Sequence, residues 1–243
     1  MKFLTLLMSL LFSAPVYATT TYKPRVPVAT VDSSMSGAEK KVREAAVRVT
    51  VPFSGGHGSG SYIQYKDLHL VITAQHVTSG KLGTSYLISH KDESHLGILI
   101  YADPISDIAV LYVGNHFRLI KPIKFNPRED IAGAGTEIIY SGFPSDHKLM
   151  SFTGRVAGHE DAPGIGEHII LQTYGWFGCS GAVIYDHNAR LVGILYGVDV
   201  EYYPDIQVQE NMIWVVPINK LKIQKAIKPF CNGYQGKEPK ACK

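Results

Sequence analysis

The sequence predicts an all-β protein made of two six-stranded antiparallel β-barrels and a C-terminal helix. Short runs of β-branched and aromatic residues recur along the chain, separated by clusters of Gly, Pro, Asn and Asp, which is typical of antiparallel strands. These runs fall into two sets of six, with one long connector between them. Closing each set into a barrel removes the exposed sheet edges that an open sheet would leave.

The first 18 residues predict a cleavable signal peptide. A basic Met1-Lys2 start precedes an apolar run from Phe3 to Phe12, and small residues flank the expected cut after Ala18. We therefore expect a secreted or periplasmic protein. The apolar run is shorter than the roughly 18 residues that a membrane span needs, although an uncleaved N-terminal anchor remains the alternative.

An N-terminal extension with a short helix is expected over residues 19–45. The stretch from Thr19 to Ser36 has no hydrophobic period and is expected to be extended or poorly ordered. The helix formers of "GAEKKVREAA" follow from Gly37. The sequence leaves open whether residues 19–36 are a removable pro-peptide.

The first barrel is expected over residues 46–120 and the second over residues 136–217. The strands are predicted near 46–53, 59–65, 68–73, 84–90, 95–102 and 107–113, then near 136–141, 148–157, 167–173, 181–186, 190–197 and 211–216. The connector "KPIKFNPREDIAGAG" covers 121–135, where prolines and charges indicate a surface crossing. The closing helix and tail occupy 218–243, following Pro217.

Composition limits the classes of partner. The net charge is +3, from 24 basic and 21 acidic residues spread along the chain. The chain therefore has no dominant positive electrostatic field that would favour binding to nucleic acid. No later apolar stretch predicts stable membrane association once the signal is removed. The oligomeric state stays open.

Cys231 and Cys242 bracket a short polar tail. They can pair outside the reducing cytoplasm or remain free, and in either case Cys179 is left unpaired.

Three segments carry candidate chemistry. "VITAQHV" is an apolar strand that presents His76 at its exit, and "PISDIAVLYV" places Asp107 at the start of another strand. "WFGCSGAVIYD" sets Cys179 beside Ser180 between glycines. A serine hydroxyl becomes a nucleophile when a base takes its proton and a third group orients that base, so His, Asp and Ser at strand ends suit this chemistry.

These segments resemble a known family. "TAQHV", "SDIAVL" and "GCSGAV", in that chain order, are similar to the signature segments of the trypsin-like (chymotrypsin-fold) serine endopeptidases, and the likeness spans about residues 46–217. With "GSGSYI" before the histidine strand, the chain is more similar to the bacterial HtrA-like and glutamyl-endopeptidase-like branches.

The resemblance implies chymotrypsin-type barrels and a role for each candidate. The family pattern G-x-S-G makes Ser180 the nucleophile of a peptide-bond hydrolase, with Cys179 as a buried filler. His76 would act as the base, Asp107 would orient it, and the N–H groups of Gly178 and Ser180 would form the oxyanion hole of an acyl-enzyme mechanism. No metal or cofactor is implied, and the substrates would be polypeptides.

The resemblance also implies a pocket for the residue before the cut. The residues it assigns to substrate binding are Tyr174, Gly175, Tyr196, Gly197 and Val198. Because Tyr174 replaces an acidic residue at the pocket floor, cleavage after Lys or Arg is not expected, and Leu195 in place of a histidine disfavours Glu specificity. Val198 should narrow the opening, so a small or medium apolar side chain is predicted.

Two alternatives to the serine enzyme remain open. One is an inactive protease-fold module that binds a protein partner, and the other is a cysteine protease that uses Cys179. A metal site is disfavoured because the remaining histidines lack metal-ligand spacing. Those histidines are His57, His69, His90, His95, His116, His147, His159, His168 and His187.

Overall fold

A computed structural model describes residues 34–52, 55–162, 166–202, 204–235 and 238–243. The predicted signal peptide, residues 1–18, and the lead-in as far as residue 33 lie outside the described residues. The helices are α1 (Gly37–Ala45) and α2 (Ile223–Gly233), with 3-10 turns at Gln75–Thr78, Ile218–Lys220 and Lys240–Cys242. The strands are β1 (Ala46–Thr50), β2 (His57–Tyr65), β3 (Leu68–Ala74), β4 (Ser85–His90), β5 (Glu93–Asp103), β6 (Ile108–Val113), β7 (Ile123–Lys124), β8 (Glu137–Gly142), β9 (Met150–Ala162), β10 (Gly166–Gln172), β11 (Val183–Asp186), β12 (Leu191–Glu201) and β13 (Gln207–Pro217).

The strands form two barrels. In the first, the strand order β1-β4-β5-β6-β3-β2 closes through antiparallel pairing of β1 with β2. In the second, the order β10-β13-β12-β11-β8-β9 is closed. The predicted fold class, two six-stranded antiparallel barrels with a C-terminal helix, is therefore confirmed.

Alternating side chains explain why these segments form barrel walls. In β4, Tyr86 and Ile88 are buried while Ser85 and Leu87 face outward, as a strand with one covered face requires. The core of the first barrel continues into the surface between the barrels, where Tyr185 of β11 lies fully buried. Its hydroxyl is 2.6 Å from Ser61 Oγ of β2. Burial of the Tyr185 ring stabilises this contact between the barrels.

Helix α1 begins at a capping box. Ser36 Oγ accepts a hydrogen bond from Glu39 N, and the Glu39 carboxylate accepts one from Ser36 N. Val42 and Ala45 bury the inner face of the helix.

The connector pairs with both barrels. Within it, β7 pairs in parallel with β2, a two-residue strand that the sequence did not predict. Further on, Asn126 O accepts from Leu191 N, and Arg128 N donates to Leu191 O of β12. The connector is thus fixed by backbone hydrogen bonds on each side.

The C-terminal helix starts later than the sequence suggested. Pro217 is the last residue of β13 and pairs with Gly193, and a 3-10 turn intervenes before α2 begins at Ile223. Ala226 and Ile227 are buried against the first barrel's core. The predicted pairing of Cys231 with Cys242 is confirmed as a disulfide. None of the helices in the described part of the chain is long and apolar enough to span a membrane.

A buried ionic cluster joins the connector to the second barrel. The Asp186 side chain is fully buried and lies 3.1 Å from Arg128 Nη1 and 2.8 Å from Arg190 Nη2. Burial alone would raise the pKa of Asp186, but hydrogen bonds from Arg190 and Asn188 and the Arg190 charge lower it overall. The carboxylate is therefore ionised at neutral pH.

Replacing Asp186 with alanine should lower the free energy of unfolding by about 3–5 kcal/mol, because two guanidinium groups lose their buried partner. Urea denaturation followed by far-UV circular dichroism measures this. Asp130→Ala is the matched control, since that carboxylate pairs with the same Arg128 but is 67% exposed. Equal destabilisation by the two substitutions would contradict a special role for Asp186.

Candidate active site

The pairing of β3 with β6 brings His76 and Asp107 to the same barrel edge. Ala74, the last residue of β3, lies opposite Ile108, the first residue of β6. His76 follows Ala74 by two positions in the 3-10 turn, and Asp107 immediately precedes Ile108. Gln75 N also donates to Asp107 O at 3.1 Å.

The Asp107 carboxylate holds the His76 imidazole in one orientation. Its Oδ2 lies 2.7 Å from His76 Nδ1, and its Oδ1 accepts the His76 backbone N–H at 2.8 Å. An ionised carboxylate only accepts hydrogen bonds, so Nδ1 carries the proton and Nε2 is left as the basic nitrogen. The structure thus brings together two of the three predicted catalytic residues in the form that general-base chemistry needs.

Asp107 has a left-handed backbone conformation, with a φ of 49°. Apart from Gly, only residues such as Asn and Asp adopt this region readily, so an aspartate suits the position. Tyr196 interacts electrostatically with the Asp107 carboxylate. Burial, together with the negative charge of Asp107, raises the pKa of Tyr196 to about 12. The phenol therefore stays neutral beside Asp107.

The Ser180 loop packs against the end of β3. Ser180 O accepts the Ser59 N–H at 2.8 Å. Gly181 has a φ of +88°, and a Cβ built there would lie 2.1 Å from Thr73 Oγ1 and 2.8 Å from Ala74 N. Only glycine fits this approach. The Ser180 loop thus lies against the residues that lead directly into His76.

Among the hydrogen bonds of the described residues, none joins Ser180 Oγ to His76. The Ser180 side chain is only partly buried. In structures without a bound substrate, the hydrogen bond between a hydroxyl and its general base is often long and tightens when substrate binds. Ser180 therefore lies beside the His76–Asp107 pair without a fixed contact to it.

Two backbone N–H groups in the Ser180 loop have no acceptor among the described residues and can therefore bind an anion. In the described residues neither Gly178 N nor Ser180 N donates within the chain. The carbonyl of the Phe177–Gly178 peptide accepts from Ser145 N at 2.7 Å, and the carbonyl of the Cys179–Ser180 peptide accepts from Ala182 N at 2.9 Å. Because a peptide is planar, fixing each carbonyl also fixes the N–H opposite it. This is the preorganisation that an oxyanion hole requires.

Cys179 is unsuited to act as a nucleophile. Its side chain is fully buried, and its backbone N–H donates to Trp176 O. Burial raises the pKa of the Cys179 thiol, and the thiol lies against the Tyr140 hydroxyl. A nucleophilic cysteine needs a depressed pKa and access to substrate, so this geometry indicates a packing role.

Part of β12 has a free edge next to the site. Strand β11 pairs with β12 as far as Ile194, and Gly181 and Ala182 then bond the backbone of Leu195, while β13 pairs with the other side of β12 from Gly193 to Glu201. Among the described strands, none pairs with the β11 side of β12 beyond Ile194. The predicted substrate-binding residues Tyr196, Gly197 and Val198 lie on this free edge, which can accept an extended peptide as an added strand.

Apolar side chains lie beside Gly175, one of the residues predicted to line the specificity pocket. Gly175 is buried, and a Cβ built on it would lie 2.4 Å from Ile213 Cδ1 and 3.6 Å from Val198 Cγ1. Tyr174 is 38% exposed, and its carbonyl accepts from the Tyr140 hydroxyl. Ile213 was not among the residues predicted from the sequence, because it lies 33 positions beyond Ser180 on another strand.

Sequence reasoning also missed Ser59, which connects the first barrel to the Ser180 loop. Ser59 Oγ donates to Gly178 O at 2.7 Å and accepts from Phe143 N at 2.9 Å, and Ser59 O accepts from Thr73 Oγ1. The available signal was its place between two glycines just before the His76 strand. No cluster of three His, Cys, Asp or Glu side chains able to hold a metal occurs among the described residues.

Comparison with known proteins agrees with this geometry. A family model described as "Trypsin-like peptidase domain" matches residues 58–194, more than half of the chain. No curated protein matches the sequence significantly.

Several solved structures share the fold. A serine-to-alanine mutant of Rv3671c from M. tuberculosis H37Rv, in an inactive form, superposes with a TM-score of 0.62 at 17% identity, covering 85% of this chain and 96% of that one. The HtrA-type protease AlgW with a tripeptide gives 0.63 at 19% identity, covering 78% and 62%. The serine endoprotease from Yersinia pestis gives 0.58 at 16% identity, covering 75% and 62%. The chain thus spans less than two thirds of the length of the latter two proteins.

Proposed function

The chain belongs to the trypsin-like peptidase family, and on that basis we propose that it is an exported serine endopeptidase that works through Ser180, His76 and Asp107. The observation that carries the proposal is the His76–Asp107 hydrogen bond of 2.7 Å, which leaves Nε2 as the base beside the Ser180 loop. Its substrates would be polypeptides, and no nucleic acid or membrane partner is indicated.

The proposed reaction has two steps. His76 Nε2 takes the proton of Ser180 Oγ as that oxygen attacks the scissile carbonyl carbon, and the resulting oxyanion accepts from Gly178 N and Ser180 N. The imidazolium then gives its proton to the leaving amine, which releases one product and leaves an acyl-enzyme. A water molecule, deprotonated by the same imidazole, attacks the ester carbonyl, and the imidazolium returns that proton to Ser180 Oγ as the carboxylic acid product leaves.

A burst experiment tests the acyl-enzyme. Wild-type protein mixed with a p-nitrophenyl ester should release close to one equivalent of nitrophenol rapidly before the steady state, because acylation of an activated ester precedes slow deacylation. Ser180→Ala should show no burst. A burst of equal size in both proteins would contradict acylation at Ser180.

Export is the second part of the proposal, supported by the basic start, apolar run and small residues of positions 1–18. Expression of the full chain in a bacterial host, followed by intact-mass analysis of the exported fraction, should give a polypeptide that begins at Thr19. An N-terminus at Met1 in the membrane fraction would contradict cleavage, and a start near residue 37 would instead reveal removal of a pro-peptide.

For specificity we propose a small or medium apolar residue before the cut, because apolar atoms of Ile213 and Val198 lie 2.4 and 3.6 Å from the position of a Cβ built on Gly175. Val198→Ala should raise kcat/KM for phenylalanine relative to valine at that position by roughly tenfold, since each methylene of pocket space is worth about that much. A peptide series measures the ratio. Val208→Ala, at an exposed position further along the same hairpin, is the control and should leave the ratio unchanged.

A further inference from the structure

His57 is held in a single tautomer by Arg48. Arg48 Nη2 lies 3.0 Å from His57 Nδ1, and His57 Nε2 lies 3.0 Å from Phe143 O. A guanidinium group can only donate, so Nδ1 must accept. The proton of the neutral imidazole is therefore on Nε2, where it is donated to the Phe143 carbonyl.

The segment that His57 holds also holds Gly178. Ser145 N donates to Phe177 O at 2.7 Å, and Phe143 N donates to Ser59 Oγ, which in turn donates to Gly178 O at 2.7 Å. The Phe177 carbonyl is thus bound by the segment itself, and the Gly178 carbonyl is bound by Ser59, which the segment holds through Phe143 N. The Phe177 carbonyl belongs to the same peptide as the Gly178 N–H.

Two further features tie His57 to this arrangement. Ser145 has a φ of 47°, a left-handed conformation that persists only where neighbouring contacts hold it. The imidazole also packs directly on Gly178, because a Cβ built there would lie 2.9 Å from His57 Nε2 and 2.3 Å from Phe143 O. Anchoring Phe143 O therefore restrains the backbone that aims the Gly178 N–H.

We propose that His57, with its tautomer set by Arg48, is a positioning residue for the oxyanion hole of the peptidase. This inference rests on the function proposed above. His57 does not touch substrate in this scheme. It acts through the Phe143–Ser145 segment, so its effect falls on the transition state, where the negative oxygen develops, and not on binding of the uncharged substrate.

The test compares His57→Ala with His57→Gln by steady-state kinetics on one peptide substrate. His57→Ala should lower kcat about 10- to 100-fold with KM nearly unchanged, because displacing an oxyanion donor costs less than deleting it. His57→Gln should recover much of this loss, since the glutamine amide can donate to Phe143 O in place of Nε2–H. Affinity for a peptide boronate, which places a negative oxygen in the hole, should fall in parallel with kcat.

His159→Ala is the matched control, because His159 also places Nε2 close to a backbone carbonyl, 2.8 Å from that of Ala132. It should leave kcat unchanged. Should His57→Ala fail to fold, Arg48→Met carries the test: without its donor the imidazole can adopt the other tautomer, and kcat should fall severalfold.

The outcomes separate this inference from the function on which it depends. A wild-type protein without hydrolysis would refute the proposed function itself. Active wild type with unchanged kcat in both His57→Ala and Arg48→Met would overturn the positioning role. A loss that appears in KM, or that His57→Gln does not relieve, would equally overturn it and leave His57 as a packing residue.

Discussion

Replacing Ser180 with alanine is expected to lower kcat by about 10⁶-fold, the size of the effect when a protease loses its nucleophile. The remaining activity would come from the oxyanion hole and substrate binding alone. The fold should be unaffected, because the side chain is only partly buried and makes no side-chain hydrogen bond among the described residues. Hydrolysis of a fluorogenic peptide measures the loss, with circular dichroism as the check on folding.

Cys179→Ala is the control for this substitution. The two residues are neighbours, yet the Cys179 thiol is buried and its pKa is raised. The decrease in kcat caused by Cys179→Ala should therefore be several powers of ten smaller than the decrease caused by Ser180→Ala. The opposite ranking, with Cys179→Ala inactive and Ser180→Ala active, would establish the thiol enzyme instead. Full activity in both variants would place the chemistry elsewhere.

Replacing Asp107 with asparagine should lower kcat by about 10⁴-fold through the tautomer of His76. The His76 backbone N–H requires an acceptor, which the asparagine oxygen supplies in place of Oδ1. The amide nitrogen then faces Nδ1, which must accept, so the proton moves to Nε2 and the base is lost.

The control is Asp103→Asn, the same isosteric change four residues earlier in the chain. Asp103 Oδ1 accepts from Ile105 N and Ser106 N, a role that an asparagine oxygen can also perform. It should therefore keep nearly full activity. An Asp107→Asn protein as active as wild type would show that the His76 tautomer does not depend on Asp107.

Runs of β-branched and aromatic residues between turn-forming clusters were enough to predict most strands, because strands such as β3, β6 and β11 are buried along most of their length. The register that pairs Ala74 with Ile108 explains why a histidine after one strand and an aspartate before another are found together. The distal half of the β12–β13 hairpin was missed in part. Its residues, such as Glu201 and Gln207, are polar and exposed, so they carry no alternating pattern even though they pair in the sheet.

The network behind the oxyanion hole could not be predicted from local sequence. His57, Ser59 and Phe143 lie far from Ser180 in the chain and act through backbone carbonyls, which any residue supplies. His57 therefore looked like one of several scattered histidines. In the folded chain, β2 lies next to the loop that follows β8. This packing brings His57 into contact with Phe143 O and with Gly178.

The central claim is that Ser180 is a nucleophile activated by His76. Fluorophosphonate treatment of the folded protein, followed by peptide mass spectrometry, tests it most directly, because this reagent bonds covalently to activated serines. The account predicts one adduct, located on Ser180, which is lost in Ser180→Ala and strongly slowed in His76→Ala, and retained in Cys179→Ala. A folded wild-type protein that takes up no label, or that carries it on a residue other than Ser180, would contradict the account.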